Sequence, residues 1–179
     1  MSEVKQEYGG ALYLLCEEEQ LSSDCLAQLH LLRRLMGENP DYYRLMAAPT
    51  VTVAQKLAAL DEAFHASVHP YVLNFLKILA ENGYFSEFGA CCDEFENRYN
   101  ADRNICVAKV TTAVALTDEQ KQRLQKKLEL EVGKTVQMHC LVDPSVMGGV
   151  RAELDGRLLD STVKNKIDSI RDNLRKTVI

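Results

Sequence analysis

The spacing of apolar residues along the chain changes near Ile105. Before that residue, apolar side chains recur every three or four positions, as they do over 53–64, and this spacing is typical of amphipathic helices. After it, apolar and other residues alternate over short runs such as 136–142, which is typical of strands. The change predicts two domains: an all-α six-helix bundle over 1–104 and a small α+β domain over 105–179.

Six helices are predicted in the first domain, with breaks at glycine, proline and Asn-Gly. Ser22, Ser23 or Asp24 is expected to cap the second helix, and Gly37 is expected to close it. The helices are predicted near 4–15, from the 22–24 cap to 36, around 42–46, and over 53–64, 71–80 and 85–100.

The second domain has the predicted order β-α-β-β-β-α. Thr117 is expected to cap its first helix, because Asp118 and Glu119 suit the positive end of a helix dipole. Asp155-Gly156 predicts a hairpin turn between the last two strands. A C-terminal helix is predicted from an apolar stripe at Val163, Ile167, Ile170 and Leu174.

Charge is divided at the same border as periodicity. Residues 1–104 carry 8 basic and 16 acidic side chains, for a net −8, whereas residues 105–179 carry 13 and 10, for a net +3. The whole chain has a net charge of −5, which argues against a surface devoted to nucleic acid. The split favours two units that present different surfaces.

Several classes of protein are disfavoured by simple patterns. No run of 18 apolar residues is present, so a membrane span is not expected. The first residues resemble neither a signal peptide nor a transit peptide, which favours a cytosolic protein. The 6 cysteines include no C-x-x-C pair and are expected to be free thiols in a reducing compartment.

No catalytic, cofactor or metal site is predicted. Gly148-Gly149 follows a strand, but no phosphate-loop lysine follows and the chain continues as a strand, so the glycines are interpreted as a bend or bulge. His65 and His69 are too few ligands for a closed zinc site. Cys91-Cys92 has no neighbouring base or cationic cluster in sequence.

Two helices carry more apolar residues than one face can hold. They are the segments 11–16 and 71–79, and each is either central in its bundle or keeps a second face for a partner. A basic cluster on the helix after Thr117 is open to similar alternatives. It is a solvated face, a docking site for an acidic protein or, in a soluble adaptor, a contact for RNA.

Four motifs in order resemble the delta subunit of bacterial F-type ATP synthase, which in mitochondria is the oligomycin-sensitivity-conferring subunit. They cover the whole chain, although Gly9 stands where the family commonly has alanine. The motifs are Tyr8-Gly9-Gly10-Ala11-Leu12, Asn74-Phe75-Leu76 leading to Leu79 and Asn82-Gly83, Val110 to Thr117, and Val142-Asp143-Pro144-Ser145-Val146-Met147-Gly148-Gly149-Val150 followed by Asp160-Ser161.

The resemblance implies a non-catalytic stator subunit of the proton-translocating ATP synthase. In that family the N-terminal domain binds the N-terminal segments of the alpha subunits, and the C-terminal domain holds the C-terminal helices of the b subunits. The implied protein is a monomer within the complex, on the cytoplasmic face of the bacterial plasma membrane. It contacts no nucleic acid, is not inserted in the membrane and has no cofactor.

The resemblance also favours partner contact by the two over-apolar helices. The expected alpha-subunit contacts are Tyr8, Ala11, Leu12, Leu15, Val72, Phe75, Leu76 and Leu79. In the stalk-binding domain the family motif falls on Asp143, Pro144, Gly148, Gly149, Val150, Asp160 and Ser161. An RNA-contacting adaptor and an enzyme with an unrecognised cysteine centre are the alternatives.

Overall fold

The computed structural model describes residues 3–146, 149–154 and 157–160. By their internal contacts these residues form two compact units, one up to Tyr99 and the other from Asn100 onward. The expectation of a helical first part and a second part with a small sheet is confirmed.

The described first unit begins with a π-helical turn, Lys5–Gly9, that leads directly into a helix. A 3₁₀ turn, Phe85–Glu87, precedes the last helix of the unit. The helices are α1 (Gly10–Glu18), α2 (Ser22–Glu38), α3 (Pro40–Ala47), α4 (Val53–Phe64), α5 (Pro70–Glu81) and α6 (Phe88–Asp102). The last three residues of α6 already belong to the second unit.

Local signals set several helix ends. Thr52 forms a capping box with Gln55 at the start of α4. The predicted cap of α2 is wrong: Leu21 occupies that position without a side-chain bond, and Ser22 is buried. The reason is a tight turn from α1, in which the Leu21 amide donates to the Cys16 carbonyl at 2.7 Å. The predicted closure at Gly37 is also early, because α2 continues to Glu38.

Helix α5 lies at the centre of the first unit. It contacts α1, α2, α4 and the 3₁₀ turn. His69 caps it, since its Nδ1 accepts a hydrogen bond from the Tyr71 amide at 3.3 Å, and Pro70 fills the first position, where no amide donor is needed. Gly83, with φ of +74°, follows its last turn.

The second unit contains a sheet with strand order β2-β1-β3-β4. The parallel pair β1 and β2 is joined by helix α7, and the antiparallel pairs are β1 with β3 and β3 with β4. Thr117 forms the predicted cap of α7, as a capping box with Gln120. The elements are β1 (Ile105–Thr112), α7 (Asp118–Val132), β2 (Thr135–Val142), β3 (Val150–Leu154) and β4 (Arg157–Asp160).

One face of the sheet packs against α7. Cys106, Ala108 and Val110 of β1 point to that face and join Leu128 of α7 in a buried cluster. Pairing of Leu154 with Arg157 confirms the predicted hairpin, although its turn, Asp155-Gly156, lies outside the described residues. The predicted C-terminal helix, with Val163, Ile167, Ile170 and Leu174, also lies outside them.

Candidate functional site

A mainly apolar groove runs between α1 and α5. Its volume is about 530 Å³. The π-helical turn and α1 supply one wall, and α5 supplies the other. The groove is lined by Glu7, Tyr8, Ala11, Leu12, Leu15, Tyr71, Asn74, Phe75 and Ile78.

The two walls run in roughly opposite directions. At one end, the ring of Tyr8 lies 5.9 Å from the ring of Tyr84, just beyond the carboxyl end of α5. At the other end, Cys16 of α1 contacts Cys25 of α2. One turn further along α2, the Gln28 Oε1 accepts a hydrogen bond from the His69 amide, at the start of α5. The groove therefore extends from Tyr8 and Ile78 to Leu15 and Tyr71, about 10 Å along the helix axis.

The floor of the groove is buried and its rims are open. Leu12 and Phe75 are each 5% exposed, so their apolar surface also belongs to the core. Leu15 is 40% exposed and Ile78 is 42% exposed, one on each wall. A helix laid in the groove can cover the two rims and the exposed Ala11.

Five of the eight residues predicted to contact a partner line the groove, and three do not. Val72, Leu76 and Leu79 have an exposed fraction of 0% and lie in the core of the first unit. Burial of these three side chains weighs against the predicted contact with the alpha subunit, because α2, α4 and the 3₁₀ turn cover that face of α5.

Sequence reasoning missed Glu7, Tyr71, Asn74 and Ile78. The last three, with Phe75, follow the helical spacing i, i+3, i+4 and i+7 along α5, and this was the signal that could have found them. Because Asn74 is polar, this face of α5 has an interrupted apolar pattern. The stripe predicted instead is apolar throughout and consists of Val72, Phe75, Leu76 and Leu79.

Close packing against α6 fixes the α1 wall. A Cβ on Gly9 would lie 2.5 Å from the carbonyl oxygen of Cys91, so no larger residue fits without a backbone shift. The space next to Gly10 is filled by the guanidinium of Arg98, whose Nε donates to Glu94 at 2.8 Å. The resembled family commonly has alanine where this chain has Gly9. Here the glycine allows the close contact between the π-helical turn and α6.

A second hollow, of about 290 Å³, lies on the other side of α5, next to α4. It is lined by Asp61, His65, Val68, Pro70, Leu73, Asn74 and Lys77. Its two opposite charges satisfy each other, since Lys77 Nζ lies 2.6 Å from Asp61 Oδ1. Asn74 lines both hollows and forms the ridge between them.

Two adjacent thiols of α6, Cys91 and Cys92, are poorly suited to nucleophilic chemistry. Burial raises the pKa of Cys91 to about 11 and that of Cys92 to about 12, which disfavours the reactive thiolate. The buried Cys16 and Cys25 hydrogen-bond to each other, which raises the pKa of Cys16 and lowers that of Cys25. Cys140, in β2, is the exposed cysteine. Among the described residues, no three His, Cys, Asp or Glu side chains are grouped to hold a metal ion.

The described residues 143–146 of the family motif in the second unit form a turn after β2. Hydrogen bonds from Ser145 lower the pKa of Asp143, and the Ser145 amide donates to Asp143 Oδ1 at 2.9 Å. The Asp143 amide in turn donates to the Thr112 carbonyl of β1 at 2.9 Å. Pro144 lies in this turn, and Gly149 has φ of +92°. Val150 begins β3 and Asp160 ends β4. Gly148 and Ser161 lie outside the described residues.

Comparison with known proteins gives a consistent family. The model of the ATP synthase delta (OSCP) subunit family matches residues 4–174. The ATP synthase subunit delta of Azorhizobium caulinodans is 31% identical over 98% of this chain and 95% of its own. That of Lachnoclostridium phytofermentans is 30% identical over 97% and 96%.

A solved structure supports the fold independently of close sequence similarity. A chain in the cryo-EM structure of the Toxoplasma gondii mitochondrial ATP synthase hexamer aligns with a TM-score of 0.77. The alignment covers 97% of this chain and 98% of that one, at 18% identity. In the part of the chain that the structure describes, no helix is both long and apolar enough to cross a bilayer. From the family match and the two bacterial relatives, this chain belongs to the ATP synthase delta (OSCP) subunit family.

Proposed function

We propose that this chain is the non-catalytic stator subunit that joins the catalytic head of a proton-translocating ATP synthase to its peripheral stalk. Residues 1–104 bind the N-terminal segments of the alpha subunits, and residues 105–179 bind the C-terminal helices of the b subunits. The subunit acts as a monomer in the complex, on the cytoplasmic face of the bacterial plasma membrane, and it resists the torque of the rotor.

The groove between α1 and α5 is the observation that carries this proposal. Its apolar walls and open rims fit one face of an amphipathic helix about two turns long. A docked helix presents apolar side chains at i, i+3 or i+4, and i+7, which matches a groove about 10 Å long. We propose Tyr8, Ala11, Leu12, Leu15, Tyr71, Asn74, Phe75 and Ile78 as its contacts with the alpha subunit.

Joining two bodies requires two binding surfaces and no reactive group. The division of the chain into two compact units supports the proposal of one binding surface for each partner. The buried thiols with raised pKa values weigh against a cysteine enzyme. Family membership gives no support to the RNA-contacting adaptor.

Affinity purification tests the whole assignment. Tagged protein recovered from detergent-solubilised membranes is expected to bring down the alpha, beta and b subunits. Recovery of RNA without those subunits would contradict it. Deletion from Thr162 onward is expected to remove b-subunit binding and to keep alpha-peptide binding, and loss of alpha binding instead would contradict the proposed division between the units.

A further inference from the structure

Glu7 is the charged side chain among the residues that line the groove. It is exposed, and it forms no ion pair or hydrogen bond with any residue in the described ranges 3–146, 149–154 and 157–160. The nearest groove residue in sequence is Tyr8, whose ring lies against Tyr84. The negative charge therefore lies at the Tyr8 end of the groove, which is the end nearer the carboxyl end of α5.

The dipole of α5 gives the same end a negative potential. The carboxyl end of a helix carries roughly −0.5 elementary charge and its amino end roughly +0.5. The carboxyl end of α5, with Glu81 in its last turn, lies near Tyr8, whereas its amino end, at Pro70 and Tyr71, lies near Leu15. The apolar walls can therefore bind a helix in either orientation. The negative charge at one end of the groove distinguishes the two orientations.

We infer that Glu7 sets the direction of the docked alpha-subunit segment by pairing with a cationic group in the segment's first turn. This inference rests on the proposed function. The cation is either a lysine or arginine side chain or the free amino terminus of the segment. The docked helix then runs antiparallel to α5, with its amino end beside Glu7 and its carboxyl end beside Tyr71.

Exposed ion pairs are individually weak, so most of the affinity comes from apolar contact. The contribution of Glu7 is to favour one orientation of the docked segment over the other. An exposed pair contributes up to about a fivefold change in affinity, and salt reduces that contribution. Reversal of the segment would bring its negative end to Glu7, a like-charge contact that disfavours the wrong orientation.

Binding of a synthetic peptide with the sequence of the cognate alpha-subunit N-terminus tests the charge. The full-length chain is titrated by fluorescence anisotropy, with the label at the peptide's carboxyl end. We expect Glu7→Gln to weaken binding about threefold and to make it less sensitive to salt than in the original chain. Glu7→Lys should weaken binding more strongly, and added salt should partly restore it because salt screens the like-charge repulsion. Glu18→Gln removes the same charge from an exposed position of α1 outside the groove and is expected to change nothing.

Peptide variants identify the cation. An acetylated amino terminus tests the free amine, and replacement of each basic side chain of the first turn by glutamine tests the side chains. The peptide change that removes the paired cation should weaken binding to the original chain. The same change should not weaken binding to the Glu7→Gln protein any further. The inference is overturned if no such peptide weakens binding, or if both Glu7 variants bind like Glu18→Gln.

Direction is measured separately with a nitroxide on either end of the peptide. On ¹⁵N-labelled protein, a nitroxide at the amino end is expected to broaden the amide signals near Glu7 and Tyr8, and one at the carboxyl end those near Tyr71. The reverse pattern overturns the inference. If Leu15→Asp abolishes peptide binding and the Glu7 variants do not change it, the proposed function stands and only this inference is overturned. If Leu15→Asp also leaves binding unchanged, the proposed function itself is overturned.

Discussion

Gly9 of the π-helical turn lies so close to Cys91 of α6 that a Cβ at Gly9 would be 2.5 Å from the Cys91 carbonyl oxygen. Backbone atoms cannot move aside as a flexible side chain can. The turn that supplies Glu7 and Tyr8 to the groove is therefore held against α6 by a residue without a side chain.

Gly9→Ala is expected to destabilise the first unit by about 1–3 kcal/mol, because the added methyl group forces α1 away from α6. Gly37→Ala is the matched control, since a Cβ there meets no atom within 4 Å and Gly37 lies near the end of α2. The control is expected to be neutral or to stabilise by up to about 1 kcal/mol. Urea unfolding measures both, and equal effects would contradict the close contact.

The buried face of α5 is expected to affect stability rather than binding. Leu76→Ala should cost about 2–5 kcal/mol of unfolding free energy, because it leaves a cavity where the side chain is fully buried. The folded fraction is expected to bind the alpha peptide with unchanged affinity, since Leu76 does not line the groove. If Leu76→Ala instead lost much of its affinity for the alpha peptide without losing stability, Leu76 would be a contact residue.

The cysteines are expected to differ sharply in reactivity. In the folded protein, Ellman's reagent should modify Cys140 rapidly and the five buried thiols slowly, and Cys140→Ser should remove the rapid phase. Denaturant is expected to expose all six. A rapid phase that survives Cys140→Ser would show that a buried thiol is accessible.

Stability is expected to fall at alkaline pH. The pKa of Cys91 is raised in the folded protein from its ordinary value of 9.0 to about 11, so the folded state holds this proton more tightly than the unfolded state. The stabilisation is complete below pH 9 and is lost as the pH rises toward 11. Thermal unfolding of Cys91→Ala should depend less on pH in this window, and an unchanged dependence would exclude Cys91 as the cause.

Local sequence patterns predict some helix starts and not others, and they do not show which face of a helix is buried. The Thr-x-x-Gln sequence at Thr117 specifies a capping box through contacts within four residues, so the start of α7 was predictable. The start of α2 depends on the turn from Cys16 to Leu21, and the polar residues after it misled the prediction. Which apolar face of α5 is buried depends on α2 and α4, and periodicity along α5 carries no information about them.

Burial decides which residues can test whether the groove binds the alpha subunit. Asp at Leu12 or Phe75 would damage the core as well as the groove, because both side chains are nearly buried. Leu15 and Ile78 are better positions, since each lines the groove from an exposed rim. Leu14, which is 61% exposed and does not line the groove, is the matched control.

Calorimetric titration of the alpha N-terminal peptide into these variants is the most direct measurement. Leu15→Asp and Ile78→Asp are each expected to weaken binding at least about tenfold, because they place a charge against an apolar helix face. Their unfolding free energies should stay close to that of the original chain, and Leu14→Asp should bind normally. Unchanged affinity in both rim variants, with all three proteins folded, would contradict the assignment of this groove to the alpha subunit.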